Sequence, residues 1–230
     1  MLRRLLSTSI LISLSLMASW SVNAKEYGSY DLKKIVTSTD SPAGKKYGVD
    51  GKLIDQILLD LSTHAQDYPP KFDQFADRQR ALKDARALGV LMEGLVDAPN
   101  THPEVLIRAA HLYSIAHNLE IPGSADKAAA IYQRLMLMQG SDPRTNFLFG
   151  RFLSSAGKPE KGLPLLNKAL AGGIDEAAYS LGLSYLALGD KAKALEYLEQ
   201  YRQKSPDSAR LAVVIDAVKS GKLEVKRSGG

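Results

Sequence analysis

The stretch Tyr179–Pro206, YSLGLSYLALGDKAKALEYLEQYRQKSP, decides the fold. Ala178, Leu181, Gly182 and Tyr185 recur at helical spacing and stop at Gly189; the pattern resumes at Ala194 and Leu198 and ends before Pro206. That is two short amphipathic helices around a tight turn. A pair this short leaves an apolar face with no neighbour, so its sequence makes sense only if further pairs stack on it.

The neighbouring sequence supplies those pairs. Asn146, Phe149, Gly150 and Leu153 precede a turn at Gly157, and Gly162, Leu166 and Ala169 follow it. Gly150 to Gly182 is 32 residues, and so are Gly162 to Ala194 and Leu166 to Leu198. An earlier copy has Leu106, Ala109, Ala110 and Tyr113 on one helix and Ala128, Tyr132 and Leu135 on the next, with an inter-helix connection six residues longer. Small residues at Ala110, Gly150 and Gly182 let the two helices of a copy approach closely, while larger apolar residues fill the space to the next copy. Ser208–Ser220, with Leu211, Val214, Ile215 and Val218 apolar, closes the stack as a capping helix, and Gly221 suits the position just past its end.

Ala178, Leu181, Gly182, Tyr185, Ala194, Leu198 and Pro206 resemble the signature of the tetratricopeptide repeat, and the junction LAGGIDEAAYSLGLSY, residues 170–185, is similar to that of Sel-like repeats. The resemblance covers about half the chain, roughly Pro103–Gly221. It implies an all-α solenoid of helix–turn–helix units that binds proteins or peptides and does no chemistry itself. Two residues depart from the pattern: Asn146 replaces a large apolar residue, and Pro164 is expected to kink or delay the second helix of its copy.

Upstream, Gly51–Tyr68 has one apolar face, Leu53, Ile54, Ile57, Leu58 and Leu61, behind Asp50 as N-cap, and Pro69-Pro70 ends it. A second helix, from about Asp73 to Val96, carries the stripe Ala81, Ala85, Leu88, Met92 and Leu95; Arg78, Arg80, Lys83, Asp84 and Arg86 are expected on its solvated face. This helical pair occupies residues 51–100, and the repeat array with its cap occupies 101–222. Thr101 and Glu104 have capping-box spacing for the first repeat helix. Residues 25–50 are rich in Gly, Ser, Thr and Lys and lack helical periodicity, which predicts an extended or poorly ordered lead with at most one strand at Leu32–Val36; residues 223–230 read as a flexible tail.

The first 24 residues, with Arg3 and Arg4, an apolar run through Trp20, and small Val22 and Ala24, read as a signal peptide cleaved before Lys25. This predicts a periplasmic protein, secretion beyond the cell being the alternative, with no membrane span once the signal is removed. Without Arg3 and Arg4 the chain has 28 basic and 25 acidic residues, a balance too mild for a nucleic-acid partner. It has no cysteine, which excludes disulfides, thiolate metal sites and a cysteine nucleophile.

Motifs for chemistry are lacking. His64, His102, His111 and His117 make no metal-ligand spacing, and no cofactor is expected. GRFLSSAGK, residues 150–158, lacks the spacing and the hydroxyl of a phosphate loop. Asp73 and Asp77 fall in the first turn of a helix, where the dipole favours acids.

What remains is a surface. Residues of the first helix of each copy that packing does not need form the candidate partner-binding face: Ile107 and His111, then Arg144, Phe147 and Arg151, then Glu176, Tyr179 and Leu183. Phe147 and Tyr179 are expected as aromatic anchors and Arg151 as a recogniser of charged groups; the competing reading of Phe147 is that it fills the core in place of Asn146. The leading functional expectation is an adaptor or assembly factor for an envelope or secretion complex. The alternative is an envelope-associated enzyme, or a subunit of one, with a site in the N-terminal region.

Overall fold

The computed structural model describes residues 25–98, 100–206 and 208–222. The expected signal peptide and the expected tail lie outside these residues. Among them are nine α-helices and one β-hairpin, and the chain divides into two compact units with the boundary between Met138 and Gln139. The fold is all-α, with helix pairs packing in succession.

The first unit opens with a segment that runs across two helices. Residues 25–31 are irregular, a 3-10 turn covers Leu32–Lys34, and strands β1 (Val36–Ser41) and β2 (Gly44–Val49) form an antiparallel hairpin. The lead is therefore ordered. The strand expected at Leu32–Val36 starts only at Val36, because Asp31 caps the 3-10 turn by accepting from the Lys33 amide at 3.2 Å.

Helix α1 (Gly51–Ala65) starts where Asp50 accepts from the amides of Lys52 and Leu53, at 3.0 and 3.1 Å. Helix α2 (Phe75–Val96) buries Ala81, Ala85, Leu88 and Met92. Helix α3 (Pro103–Asn118) begins with His102 as its cap, the ring Nδ1 accepting from the Glu104 amide at 3.2 Å, and Pro103 in its first turn. Thr101 does not cap it: its hydroxyl is buried against carbonyls of the preceding loop, 2.6 Å from that of Ala98. Helix α4 (Ser124–Gln139) lies against α3 through Tyr132, whose hydroxyl is 3.3 Å from Ser114 Oγ. It also reaches the end of α2, where Arg134 donates to the Val96 carbonyl at 2.6 Å.

The second unit contains α5 (Pro143–Ser155), α6 (Pro159–Ala171), α7 (Glu176–Ala187), α8 (Lys191–Lys204) and α9 (Ala209–Lys219). Gly157 and Gly189 end α5 and α7 at φ of +76° and +82°, so the repeat places a left-handed turn residue at the same point in each copy. The glycines within the helices act through contact distance. A Cβ on Gly150 would meet Leu166 Cγ at 2.9 Å and the Gly162 carbonyl at 3.1 Å, and one on Gly182 would meet Leu198 Cγ at 2.7 Å. Pro164 neither delays nor breaks α6: the helix is already under way from Pro159, and Pro164 sits on its exposed side. Ser208 caps α9 by accepting from the Leu211 amide, and α9 buries Leu211, Val214, Ile215 and Val218 against Leu186 and Leu198.

Candidate functional site

The eight residues expected on one binding face fall into two sets, one in each unit. In the first unit, Ile107 is not on a surface. It is 3 % exposed, because α1 lies along α3 on the side that an array of repeats would leave open. The same packing occupies His111, whose Nε2 is 3.0 Å from Gln66 Oε1 and 3.3 Å from Ser62 Oγ on and just beyond α1. Asn118 extends the contact by donating to the carbonyls of Ala65 and Gln66, and Arg108 adds a two-pronged ion pair to Asp55.

In the second unit three of the expected residues lie on α5. Arg144, Phe147 and Arg151 are spaced three and four apart and share one side of the helix. Arg144 is exposed and Phe147 half-buried, and the Arg151 guanidinium lies over the Phe147 ring, 5.0 Å from its centroid. That stacking holds the guanidinium against the ring. Phe147 is half-buried, where a ring filling the core in place of Asn146 would be fully buried. Asn146 holds its own place, buried, with Nδ2 donating to the carbonyls of Gly140 and Asp142 at 2.9 and 2.8 Å. Asp142 in turn caps α5, accepting from the Thr145 amide and hydroxyl, both at 2.7 Å. The start of α5 is held by these local hydrogen bonds, which among the described residues leave only the buried Asn146 Oδ1 of this cluster without a partner.

On α7, Glu176 is exposed in the first turn. Tyr179 and Leu183 point elsewhere: both are half-buried against the C-terminal cluster of α8 and α9, and the Tyr179 ring rests on Tyr201 at 5.7 Å. They dock the capping helix. Helices α5 and α7 are joined by Ser154 and Ser184, whose hydroxyl oxygens are 2.8 Å apart. Of the two arginines, Arg151 is the one that stacks on the ring, so α5 presents a guanidinium and an aromatic ring side by side.

A second cluster, in the N-terminal region, was not legible in the sequence. Asp60, Asp77, Asp84 and His64 are all buried beneath residues 25–30. Asp77 accepts from the Tyr27 amide at 3.2 Å and from Arg80 at 2.7 Å; Asp84 accepts from the Tyr27 hydroxyl at 3.1 Å. Asp60 accepts from the Gly28 amide at 2.8 Å and the Tyr30 hydroxyl at 2.7 Å. His64 stacks on Phe72 with ring centres 5.0 Å apart, and its two nitrogens face the carbonyls of Asp60 and Lys25. Burial pushes the Asp84 carboxyl above its usual range, against the opposing pull of the Tyr27 hydrogen bond. Burial likewise raises Tyr27 and Tyr30, helped by the aspartates they bond. Only three aspartates spaced around one buried tyrosine would have signalled this cluster, and residues 50 and 57 apart give no periodic trace. The α2 face expected to be solvated is therefore mixed: Asp84 is buried, Arg80 binds the Tyr27 carbonyl at 2.9 Å, and Arg78 pairs with Glu120 at 3.1 Å. The cluster's groups are directed at the chain's own lead, and among the described residues no group of three or more His, Cys, Asp or Glu is arranged to hold a metal.

Residues 176–208 match the family model for the tetratricopeptide repeat, a span that takes in α7, its turn, α8 and the start of α9's cap. No curated protein and no solved structure matches the chain. The match falls on the copy whose helix-crossing glycine, turn glycine and capping helix the structure places as the repeat requires. Residues 139–222 carry helix pairs packed in succession like a tetratricopeptide solenoid, and the family match falls on one of those pairs.

Proposed function

We propose that this protein is a periplasmic adaptor or assembly factor, without enzymatic activity, that binds a protein or peptide of an envelope complex on the α5 side of its second unit. The single observation that carries this reading is the Arg151–Phe147 pair, a half-buried aromatic ring with a guanidinium stacked on it, beside the exposed Arg144 on α5. Export rests on the basic and apolar N-terminus ending at Val22 and Ala24, and among the described residues no helix is long and apolar enough to cross a membrane. Within the repeat class, the junction at residues 170–185 favours the Sel-like variant. The extra residues of the first copy go mostly into longer helices, α3 and α4 having 16 residues each against 13 in α5 and in α6.

The partner is a protein segment carrying a buried-type side chain next to acids, which meets Phe147 and the two arginines together. Pull-down from envelope extract with the chain from Lys25 onward tests this. Phe147→Ala and Arg151→Glu should each remove the captured partner, a true anchor contributing about 2 kcal/mol or more, with the far-UV circular dichroism unchanged. Capture that survives both changes, or turnover of a substrate by the purified chain that both changes leave intact, would remove the α5 face from the account.

A further inference from the structure

The hairpin of β1 and β2 is the least covered element in the described chain. Every residue of β2 is exposed, and every residue of β1 except Ser41. The pairing register, Val36 with Val49, Ser38 with Tyr47 and Asp40 with Lys45, puts Val36, Val49 and Tyr47 on one side. They are 52, 40 and 74 % exposed, so three large apolar groups share one open sheet face. An isolated two-stranded hairpin is marginal in water, and among the described residues the sheet has no third strand. The outward N–H and C=O groups of β2 are therefore a template without a partner strand.

The charges on this template select what pairs with it. Lys45 and Lys46 are adjacent on β2 and project to opposite faces, and among the described residues neither makes an ion pair; Lys33 and Lys34 stand at the hairpin's base. The single acid within the strands is Asp40, opposite Lys45. A second copy of β2 would bring lysines toward lysines, the arrangement by which edge strands resist self-pairing. An acidic strand meets no such repulsion.

We propose that the β2 edge is a docking site for an extended acidic segment of a protein partner, added as a third, antiparallel strand. The register sets its pattern: apolar residues opposite Val49 and Tyr47, one residue between them, then two consecutive acids opposite Lys46 and Lys45. This surface is separate from the α5 face and does not depend on it.

The test uses the chain from Lys25 onward and the capped peptide Thr-Val-Thr-Ile-Glu-Glu-Thr. Three further probes are the same peptide with both Glu replaced by Lys, the same peptide N-methylated at alternate residues, and vesicles of anionic phospholipid. Amide hydrogen exchange across residues 36–49 is the readout. Slowed exchange in β2 with the acidic peptide only, weakened about tenfold or more by Lys45→Glu with Lys46→Glu, is the expected result. Lys45 faces Asp40, so the exchange of the free variant across residues 36–49 is measured first as its own baseline, Lys46→Glu alone is run beside it, and circular dichroism checks the helices. No protection by the acidic peptide, protection that N-methylation leaves intact, or protection by vesicles alone overturns strand addition by an acidic protein segment. Protection that rises with protein concentration in the absence of any probe overturns it in favour of self-pairing.

Discussion

Adding one methyl group at Gly162 should open the closest helix crossing in the second unit. A Cβ there would lie 2.4 Å from Ser154 Oγ and 2.6 Å from the Gly150 carbonyl oxygen. The serine can rotate, but the carbonyl belongs to the α5 backbone, so the two helices must separate by roughly half an ångström to restore contact distance. Overpacking of this kind costs about 1–3 kcal/mol, against which alanine gains up to about 1 kcal/mol of helix propensity over glycine. The separation also pulls on the 2.8 Å contact between Ser154 and Ser184, so the cost reaches the next copy. Gly94→Ala is the control, because it lies within α2 with nothing within 4 Å of its missing Cβ. It should keep the propensity gain and raise the melting temperature by roughly 1–4 °C, while Gly162→Ala lowers it by roughly 2–8 °C. Thermal melts followed by far-UV circular dichroism decide it. If Gly162→Ala melts at or above Gly94→Ala, close approach is not the reason for the glycine, and the repeat packing derived above is wrong.

Gly182→Leu should destabilise the second unit more than Gly182→Ala does, since even a Cβ there meets Leu198 Cγ at 2.7 Å; equal melting temperatures for the two would show that the crossing can relax. At Asp84 the folded state holds a carboxyl whose affinity for protons burial has raised, so it binds protons that the unfolded chain releases and its contribution to stability falls as pH rises above the usual carboxylate range. Asp84→Asn, which can still accept from the Tyr27 hydroxyl, should therefore gain on the parent as pH rises above the usual carboxylate range and show no advantage below it; a pH-independent gap in melting temperature refutes this. The exported protein should have an intact mass that begins at Lys25 and, Trp20 being the only tryptophan, no indole fluorescence; an indole signal from the envelope-derived protein contradicts that cleavage site.

What could be read from sequence was whatever repeats or caps locally. The 32-residue offset of Gly150 and Gly182, the Asp50 cap and the left-handed turn glycines each express a short-range demand of the backbone, so one sequence suffices to see them. The α5 face was legible for the same reason, being a matter of spacing within one helix. Ile107, His111, Tyr179 and Leu183 share that spacing, yet α1 covers the first two and the capping-helix cluster holds the last two. Helical periodicity tells which side of a helix a residue occupies and not what comes to lie on that side. The buried Tyr27 was hidden more deeply, because its partners Asp77 and Asp84 belong to a helix 50 residues away, and charged residues on a predicted helix read as solvated until a chain segment is known to lie over them. The density of Gly, Ser, Thr and Lys in residues 25–50 left an extended and a poorly ordered lead equally open, and the pairing of Val36–Ser41 with Gly44–Val49 into a hairpin leaves no helical period to find.

The central claim is that the α5 side of the second unit is where a protein partner sits. A photo-crosslinking amino acid placed at Phe147 measures that contact directly, with the same group at the exposed Lys168 of α6 as the comparison. Irradiation in intact cells, followed by mass spectrometry of the adducts, should give one protein adduct at position 147 and none at 168, and Arg151→Glu should abolish it. Adducts of equal yield at both positions, or an adduct at 147 that Arg151→Glu leaves unchanged, would contradict the claim.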